Sequence, residues 1–517
     1  AAASVLGDLD ADLTLSYAEG LPVDEEVAIL VQSSMKEAGF DLKLNKMPRA
    51  QFDGAKYGRT GEVQFFVNAI DAPAFFDAGY YTSIYGAATG FLNWFGYGSA
   101  DLDAAMAALI DPSTRDQALL DVQEIYANDY AIHPIAWTGL KYAHSSCLEI
   151  PKAVTGNGLI NIQDFVPVGT ADTFKPADVA AITAAPVVVA PDCDIPDNPV
   201  IAMAGPVLAI NPDGPGQNNL PSVQIFFATY DSLTNWAIPS DGDALTASLE
   251  LGNAGTVEPQ LAKSWDVSAD GTVYTFNLHE GVMSDAGNEM TAEDVKWSLE
   301  KAMASAATGA FWGFVGGLLS GDQIEIIDDY TVQITLMAPE DKFLPVLGTG
   351  WLVIYDSIEA KSHATEEDPW AQEWLNQNSA GFGPYRVAEF GPGGDEVVLE
   401  ARENYWGDQP TIQRVTQRSA PDAGARLQLL LSGDAVYSGE LTTLGLDKAE
   451  ETDGITVTRI PTTTGTFLAL TYEPPFDDLA VRAAIAQAIP YQDIIDVTFG
   501  GKAELWDSIL APVVPGY

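Results

Sequence analysis

The sequence has few basic residues, histidines and cysteines. Its 517 residues include 24 Lys and Arg against 73 Asp and Glu, and the formal net charge is −49. Phosphate contacts need clustered Lys and Arg, so nucleic acid is not expected as a partner. The histidines show neither an i,i+4 spacing nor a neighbouring cysteine pair, which argues against a zinc site. No metal and no other cofactor is expected. The histidines are His133, His144, His279 and His363.

Long apolar runs are also absent. None reaches the roughly 18 residues that a membrane-spanning helix needs. No basic segment precedes an apolar run at Ala1, so we expect that any leader has been removed. Apolar residues still make up 47% of a chain too long for one core, which predicts two or three lobes. The excess of carboxylates favours a saline habitat, where screening shortens charge repulsion.

Motifs of catalysis are missing from the sequence as well. It contains no G-x-S-x-G, H-E-x-x-H or P-loop pattern. Paired carboxylates, such as Asp101 with Asp103 or Asp477 with Asp478, are interpreted as helix starts and solvated charges. We therefore expect a protein that is not an enzyme. For Cys147 and Cys193 two alternatives stay open, a single disulfide in an oxidising compartment or two separate thiols.

What the sequence does contain is a distinctive predicted β-hairpin. Gly381-Phe-Gly-Pro-Tyr385 leads into a strand that ends at Phe390, and a Gly-Pro-Gly-Gly turn precedes a second strand at Glu396–Arg402. Asn404-Tyr-Trp-Gly407 follows. Together these segments resemble the "G-T-G-P-Y … N-x-x-Y-W" block of family 5 extracellular solute-binding proteins, the dipeptide- and oligopeptide-binding receptors of ABC importers. We interpret Tyr385 and Trp406 as structural residues of this hairpin.

Further segments resemble the same family, but in rotated order. Residues 200–517 resemble its first two thirds and residues 1–165 its last third. Three explanations are compatible with this order. The chain could be a circular permutation joined through 166–199, it could be a cleaved chain whose segments are numbered in the wrong order, or it could hold the tail and the head of two tandem copies. The matching segments include Val257–Trp265, Asp270–Leu278, Thr291–Val295, Asp422–Leu427, Pro475–Arg482 and Ile509–Tyr517.

The resemblance implies an α/β, two-lobed fold of the periplasmic-binding-protein type II-like (cluster C) kind, with mixed sheets and an extra subdomain in the first lobe. Lobe I would comprise 198–462 with 140–165. Lobe II would comprise 463–517 followed by 1–139, and 166–197 would be a connector or a terminus. Local patterns agree, because a strand at 12–17, a helix at 22–39 and a strand at 40–44 form a predicted β-α-β unit.

The function that the resemblance implies is that of an extracytoplasmic solute-binding protein. It would capture a peptide or another small polar molecule between its lobes and deliver it to an ABC permease in the membrane. A monomer in the periplasm or another extracytoplasmic location is expected, and a lipid anchor before processing stays open. The alternative is a secreted hydrolase acting in an inter-lobe cleft, which would need converging carboxylates or a Ser–His pair.

The best-defined candidate ligand position follows the predicted strand at 62–67. Peptide-binding relatives carry an aspartate there that pairs with the amino terminus of the ligand. In this chain the matching place holds Asn68, with Asp71 three residues further on. Asparagine accepts a hydrogen bond without bringing charge, so either Asp71 has taken over or the ligand has no amine at this point. Both residues could instead shape a turn.

Aromatic residues and two asparagines complete the predicted site. Their segments resemble loops or strand ends that face the ligand in relatives, and aromatic faces stack on sugars, peptides and flat molecules. The alternative for each aromatic residue is an ordinary place in the core. The candidates are Trp94, Phe95, Trp312, Trp351 and Phe467, with Asn218 and Asn219 in the loop after the first strand of the 200–517 segment.

Overall fold

The computed structural model describes a chain of two compact units. Unit 1 comprises Ala1–Lys141, Thr442–Lys448 and Arg459–Tyr517, and unit 2 comprises Tyr142–Leu441 and Ala449–Thr458. The divisions at 141/142 and 458/459 are two and four positions from the lobe boundaries expected at 139/140 and 462/463, whereas Thr442–Lys448 of the expected lobe I falls in unit 1. The assignment of the lobes stays a prediction. The residues described are 5, 13–57, 60–70, 93, 96–109, 113–150, 162–168, 193, 195–214, 219–236, 257–305, 308–340, 342–460, 464–512 and 517.

Strands and helices alternate along much of the chain. The strands are β1 (Thr14–Ala18), β2 (Lys43–Met47), β3 (Phe65–Ile70), β4 (Ile132–Trp137), β5 (Leu140–Ser145), β6 (Leu148–Glu149), β7 (Val166–Pro167), β8 (Val200–Met203), β9 (Thr234–Trp236), β10 (Val257–Pro259), β11 (Ala262–Val267), β12 (Val273–Leu278), β13 (Ile324–Asp328), β14 (Thr331–Thr335), β15 (Tyr385–Phe390), β16 (Glu396–Ala401), β17 (Arg414–Ser419), β18 (Tyr437–Gly439), β19 (Ile455–Ile460), β20 (Gly465–Leu470) and β21 (Glu504–Leu505).

The helices are α1 (Pro22–Glu37), α2 (Arg49–Tyr57), α3 (Ala100–Ala108), α4 (Arg115–Asp129), α5 (Leu220–Thr229), α6 (Ala292–Ala304), α7 (Thr308–Val315), α8 (Phe343–Leu347), α9 (Ser357–Ser362), α10 (Gln372–Leu375), α11 (Ala423–Ser432), α12 (Thr443–Glu450), α13 (Leu479–Ala488) and α14 (Tyr491–Val497). Short 3-10 turns cover Ile162–Asp164, Gly321–Gln323 and Pro392–Gly394.

The sheet of unit 1 is built from both ends of the sequence. Among the described residues its six strands run in the order β2-β1-β3-β20-β4-β21. β1 is parallel to β2 and β3, whereas β20 is antiparallel to both β3 and β4. A strand from residues 465–470 therefore lies between strands from residues 65–70 and 132–137. The three explanations for the rotated order all predict this pairing, and each of them stays a prediction.

One face of this sheet carries the core of unit 1. Buried side chains of β1, β3 and β20 meet those of α1, α13 and α14 in one apolar cluster that includes Leu15, Val31, Phe65, Leu468 and Ile485. The spacing of Val27, Val31 and Met35 on α1 produces its apolar face, as the helical period predicted. Removing this apolar area from water is the main contribution to the stability of unit 1.

The predicted strand at 40–44 is wrong in position, since β2 begins at Lys43. The cause is the way α1 ends. Gly39 has φ of 90° and its N–H bonds to Lys36 O, while the N–H of Phe40 bonds to Met35 O at 2.9 Å. This is a Schellman cap, which occupies the backbone of Phe40 and delays the start of the strand.

Unit 2 contains mixed and antiparallel sheets. In the part that the structure describes, one sheet runs β15-β16-β17-β8-β18-β5-β19 and another runs β11-β12-β14-β13. β8 is parallel to β17 and β18, whereas β16 is antiparallel to β15 and β17, and β18 is antiparallel to β5. The α/β class with mixed sheets is confirmed. The chain passes from one unit to the other within β5 and within β19.

The predicted hairpin is confirmed as β15 and β16, and its glycines are needed for close packing. An ideal Cβ on Gly383 would lie 2.5 Å from the carbonyl carbon of Thr229, the last residue of α5. At Gly394, where φ is 73°, it would lie 1.9 Å from Val207 O. Only glycine fits these two places, one just before β15 and one in the turn between β15 and β16.

Asp231 explains the aromatic pair that follows the hairpin. Its buried carboxylate accepts hydrogen bonds from Trp406 Nε1 at 2.8 Å and Tyr405 Oη at 3.1 Å, and from Gln260 Nε2 at 3.0 Å. Burial raises the pKa of Asp231 to about 7, although the hydrogen bonds from Trp406 and Tyr405 and the nearby Arg402 cation oppose the shift. Trp406 therefore has a structural contact in unit 2, as does Tyr385, whose hydroxyl donates to Ile412 O at 2.8 Å.

A disulfide joins Cys147 to Cys193, with a Cα–Cα distance of 5.1 Å. It resolves the alternatives left open for the cysteines. The bond ties the start of β6 to the segment before β8, across 46 positions of sequence in unit 2. Within the described residues, no helix combines the length and the apolarity needed to cross a membrane.

Candidate functional site

The predicted solute position lies on β3 in unit 1. Asn68 is 6% exposed and stands directly opposite Phe467 of β20 in the antiparallel register. Side chains of such partners are about 5 Å apart at Cβ, so the sheet brings these two candidate residues together. Phe467 is fully buried. The two residues come from opposite ends of the sequence and meet only because β20 pairs with β3.

Helix α2 adds a cation that the sequence analysis missed. Lys56 is 3% exposed, and its Nζ donates to Asn68 Oδ1 at 2.9 Å. The same ammonium lies 5.2 Å from the centroid of the Phe52 ring, which packs edge-on against Phe66 of β3 at 6.0 Å. A buried ammonium is costly unless it is hydrogen-bonded or paired, so this arrangement is a specific one.

A signal for Lys56 was present in the sequence. Phe52 and Lys56 are four residues apart in the sequence, a spacing that places them on one face of helix α2. An apolar residue on that face marked it as the buried one, and a lysine on a buried face requires a polar partner. Which partner it has depends on how α2 packs, and spacing alone does not fix that.

The described candidates in unit 2 have local structural contacts. Asn219 caps α5, because its Oδ1 accepts from Ser222 N at 3.1 Å and from Ser222 Oγ at 3.0 Å. Trp351 packs against the rings of Phe226 and Phe227 on the same helix, at centroid distances of 5.0 and 6.0 Å. A binding role for Asn219 and Trp351 stays a prediction.

Trp312 is buried in α7, beside Phe311 at 5.1 Å. Its binding role also stays a prediction. Four further candidates lie outside the described residues, namely Asp71, Trp94, Phe95 and Asn218.

Several described titratable groups have strongly perturbed pKa values, among them Asp164, whose pKa burial raises to about 7. Besides Asp231 in unit 2, His133 in unit 1 has its pKa lowered to about 3 by burial, with a smaller effect from the Arg482 cation. Arg482 itself donates to Asp129 O at 2.8 Å and Phe476 O at 2.9 Å, so it holds the end of α4. His133 is thus a neutral residue of a packed interior at ordinary pH.

The described residues offer no metal centre, since no group of three or more His, Cys, Asp or Glu side chains among them could hold an ion. The arrangement they do offer is a hydrogen-bonded polar pair, Lys56 and Asn68, among the aromatic rings of Phe52, Phe66 and Phe467. Small-molecule sites are commonly built this way, with a few polar groups fixing orientation among apolar ones.

Comparison with known proteins identifies the family. The model of bacterial extracellular solute-binding proteins, family 5 (middle), matches residues 256–517, half of the chain. The chain therefore belongs to this family, which confirms the resemblance drawn from its motifs.

Curated relatives include proteins named for peptide binding and for heme binding. A probable D,D-dipeptide-binding periplasmic protein of Escherichia coli K12 is 26% identical over 333 residues, which are 64% of this chain and 60% of the relative. A probable di/tripeptide-binding protein of Pseudomonas aeruginosa is 30% identical over 301 residues, with 55% and 56% covered. Heme-binding protein A of Haemophilus influenzae is 28% identical over 284 residues, with 50% of each covered. The chain thus spans between half and 60% of the length of these relatives.

Solved structures give partial matches. The ABC transporter-associated periplasmic binding protein DppA of Helicobacter pylori, in complex with the peptide STSA, is 26% identical with a TM-score of 0.40. The match covers 49% of this chain and 48% of that one.

Proposed function

We propose that this chain is an extracytoplasmic solute-binding protein of an ABC importer. It captures a peptide or another small polar solute and delivers it, unaltered, to a permease in the membrane. The observation that carries the proposal is the family match over residues 256–517, together with relatives whose names specify peptides. A hydrolase is disfavoured, because Asp231 is held by hydrogen bonds from Trp406, Tyr405 and Gln260, and burial lowers the pKa of His133 and keeps it a neutral imidazole.

The surroundings of Asn68 support this role. A buried amide, a buried ammonium and three aromatic rings could orient a solute by hydrogen bonds while excluding water from it. The amide and ammonium lie within hydrogen-bond distance of each other, and both rest on regular elements, β3 and α2. Sites built on strands and helices hold their geometry better than sites on loops.

An extracytoplasmic location fits the chemistry of unit 2. The Cys147–Cys193 disulfide is of the kind that persists in oxidising compartments. We expect a monomer without nucleic acid partners, given the net charge of −49. Lipid anchoring before processing stays an alternative to a freely diffusing form.

A thermal-shift screen tests the proposal. The full chain is heated with dipeptides, tripeptides, sugars, heme and metal chelates, each at a hundredfold excess over an expected Kd. A ligand of the folded state stabilises it by about 2.7 kcal/mol under these conditions, which gives a rise of several degrees in Tm. Mass spectrometry of the recovered solute should show it unchanged.

Two results would contradict the proposal. Absence of any rise across all solute classes would remove the binding function, and conversion of a bound solute into products would favour the hydrolase. A rise with sugars or chelates but with no peptide would keep the receptor and discard the peptide as its solute.

A further inference from the structure

The residues on either side of segment 169–192 are attached to one residue, Cys147. Before the segment, the N–H of Val168 donates to Cys147 O at 2.8 Å, and after it, Cys193 is joined to Cys147 by the disulfide. We propose that the disulfide can replace the peptide connection from Val168 to Cys193. The chain then stays one folded body when that connection is cut, and its two pieces separate only if the bond is reduced as well. This inference does not depend on the proposed function.

Cys147 is held in unit 2 by backbone contacts on both of its sides. After it, β6 pairs with β7 as antiparallel strands, with Leu148 opposite Pro167. Before it, the N–H of Ser146 donates to Gly454 O at 2.8 Å, at the turn that leads into β19. The near end of the connection is therefore fixed by strand pairing and backbone hydrogen bonds of the surrounding sheet.

The far end of the connection is fixed as well. A few residues after Cys193, Pro199 O accepts from the N–H of Thr416 at 3.0 Å, and Val200 O accepts from the N–H of Val436 at 2.9 Å. These bonds place the start of β8 between β17 and β18. The disulfide thus joins two points that are each anchored in unit 2.

The two pieces that a cut would create, one on each side of the connection, interleave in both units. In unit 2, β5 of the first piece lies between β18 and β19 of the second, and in unit 1, β20 of the second piece lies between β3 and β4 of the first. The apolar core of unit 1 likewise combines Leu15 and Phe65 of the first piece with Leu468 of the second. The pieces are therefore expected to remain folded together after a cut, and to part only on unfolding.

A cut should cost little stability while the bond is intact. In the folded chain Val168 and Cys193 are already held together at Cys147, and in the unfolded chain the disulfide closes the same loop, across 46 positions. The entropy of loop closure is thus lost in both states and nearly cancels in their difference. Without the bond, the unfolded pieces of a cut chain diffuse apart, so the stability of the folded form then depends on protein concentration.

Reduction of the bond is the second event that the proposal requires. Cys147 and Cys193 are both half-buried, so an attacking thiolate can reach them. A dithiol supplies the two electrons and two protons that convert the bond into two thiols, and the dithiol itself becomes a disulfide. Cleavage and reduction must therefore coincide before the pieces can separate.

A recognition sequence for a site-specific protease, inserted between residues 180 and 181 of the full chain, tests the proposal. Cut and uncut forms are unfolded in urea, with and without dithiothreitol, at two protein concentrations a hundredfold apart. Reduction of the uncut chain should raise its unfolded fraction on the order of 1,000-fold. The cut with the bond intact should raise it much less, at either concentration. Only the form that is both cut and reduced should unfold at lower urea on dilution.

The matched control carries the same insertion with Cys147→Ser and Cys193→Ser. Its cut form should show the dependence on concentration without any reductant, and its uncut form should not. If this variant does not fold, the oxidised and reduced forms of the cut chain carry the same comparison. The proposal is overturned if the cut, with the bond intact, lowers the urea midpoint more than reduction of the uncut chain does. It is also overturned if dilution leaves the midpoint of the cut and reduced form unchanged.

Discussion

The carboxylate of Asp231 should make the stability of the chain depend on pH in an unusual direction. Burial raises its pKa from the usual 3.8 to about 7 in the folded state. The folded chain then binds this proton more tightly than the unfolded chain does. The contribution of Asp231 to stability therefore increases as pH falls from above 7 to about 4, and it is constant at lower pH.

The size of the effect follows from the two pKa values. A carboxyl group that titrates near 7 when folded and near 3.8 when unfolded changes the free energy of unfolding by about 4 kcal/mol across that interval. Asp231→Asn removes the charge while keeping an oxygen for Trp406 and Tyr405. It should cost roughly 1–3 kcal/mol at low pH, because its NH₂ then faces Gln260 Nε2.

The assay compares the two proteins by urea unfolding between pH 4.5 and 8.5 at one fixed salt concentration. The salt concentration is fixed because the net charge of −49 changes with pH, and the repulsion that this charge causes depends on salt. Other groups, including His133 with its lowered pKa, contribute equally to both proteins and cancel in the difference. Over this pH range the difference in unfolding free energy should change by about 3 kcal/mol in favour of the unaltered chain as pH falls. Parallel curves would refute the reasoning.

Three further predictions concern the disulfide, the hairpin and the surface charge. Replacing Cys147 and Cys193 by serine should lower the free energy of unfolding by about 4 kcal/mol, from the entropy of the closed loop, and reductant should have no effect on that variant. Gly383→Ala should lower the free energy of unfolding, measured with a chemical denaturant, by several kcal/mol, because the new Cβ would lie 2.5 Å from the backbone of Thr229. Gly54→Ala is the control. A Cβ on Gly54 of α2 would meet no atom within 4 Å, so this variant should be as stable as the unaltered chain or slightly more stable. Tm should rise between 0.1 and 2 M salt as screening relieves repulsion, and a flat or falling Tm would count against the saline habitat.

Features that depend on neighbours in sequence were predictable. Asp478 caps α13 by accepting from Ala480 N, as its interpretation as a helix start indicated, and the capping box of Thr291 and Asp294 at the start of α6 is an equally short-range pattern. The hairpin was also predictable, because its glycines and alternating residues are local. The start of β2 was not, since a cap formed by Met35 and Phe40 overrode the alternating pattern.

Features that depend on distant parts of the chain were not predictable from pattern. Lys56 acquires its partner only when α2 packs beside β3, and Phe467 reaches Asn68 only through the pairing of β20 with β3. The bond between Cys147 and Cys193 likewise needs a Cα–Cα distance that spacing does not supply. The sequence thus predicted the position of Asn68 at the end of a strand, but it did not predict that Lys56 would lie beside it.

The proposed function requires that this chain bind a small solute and leave it unchanged. Native mass spectrometry of the protein, purified without unfolding, tests it most directly. We expect a species heavier than the protein alone by the mass of one small solute. Denaturation should release this solute intact, and its rebinding should raise Tm. A protein that carries no solute, and that gains none from any class of solute offered, would contradict the account.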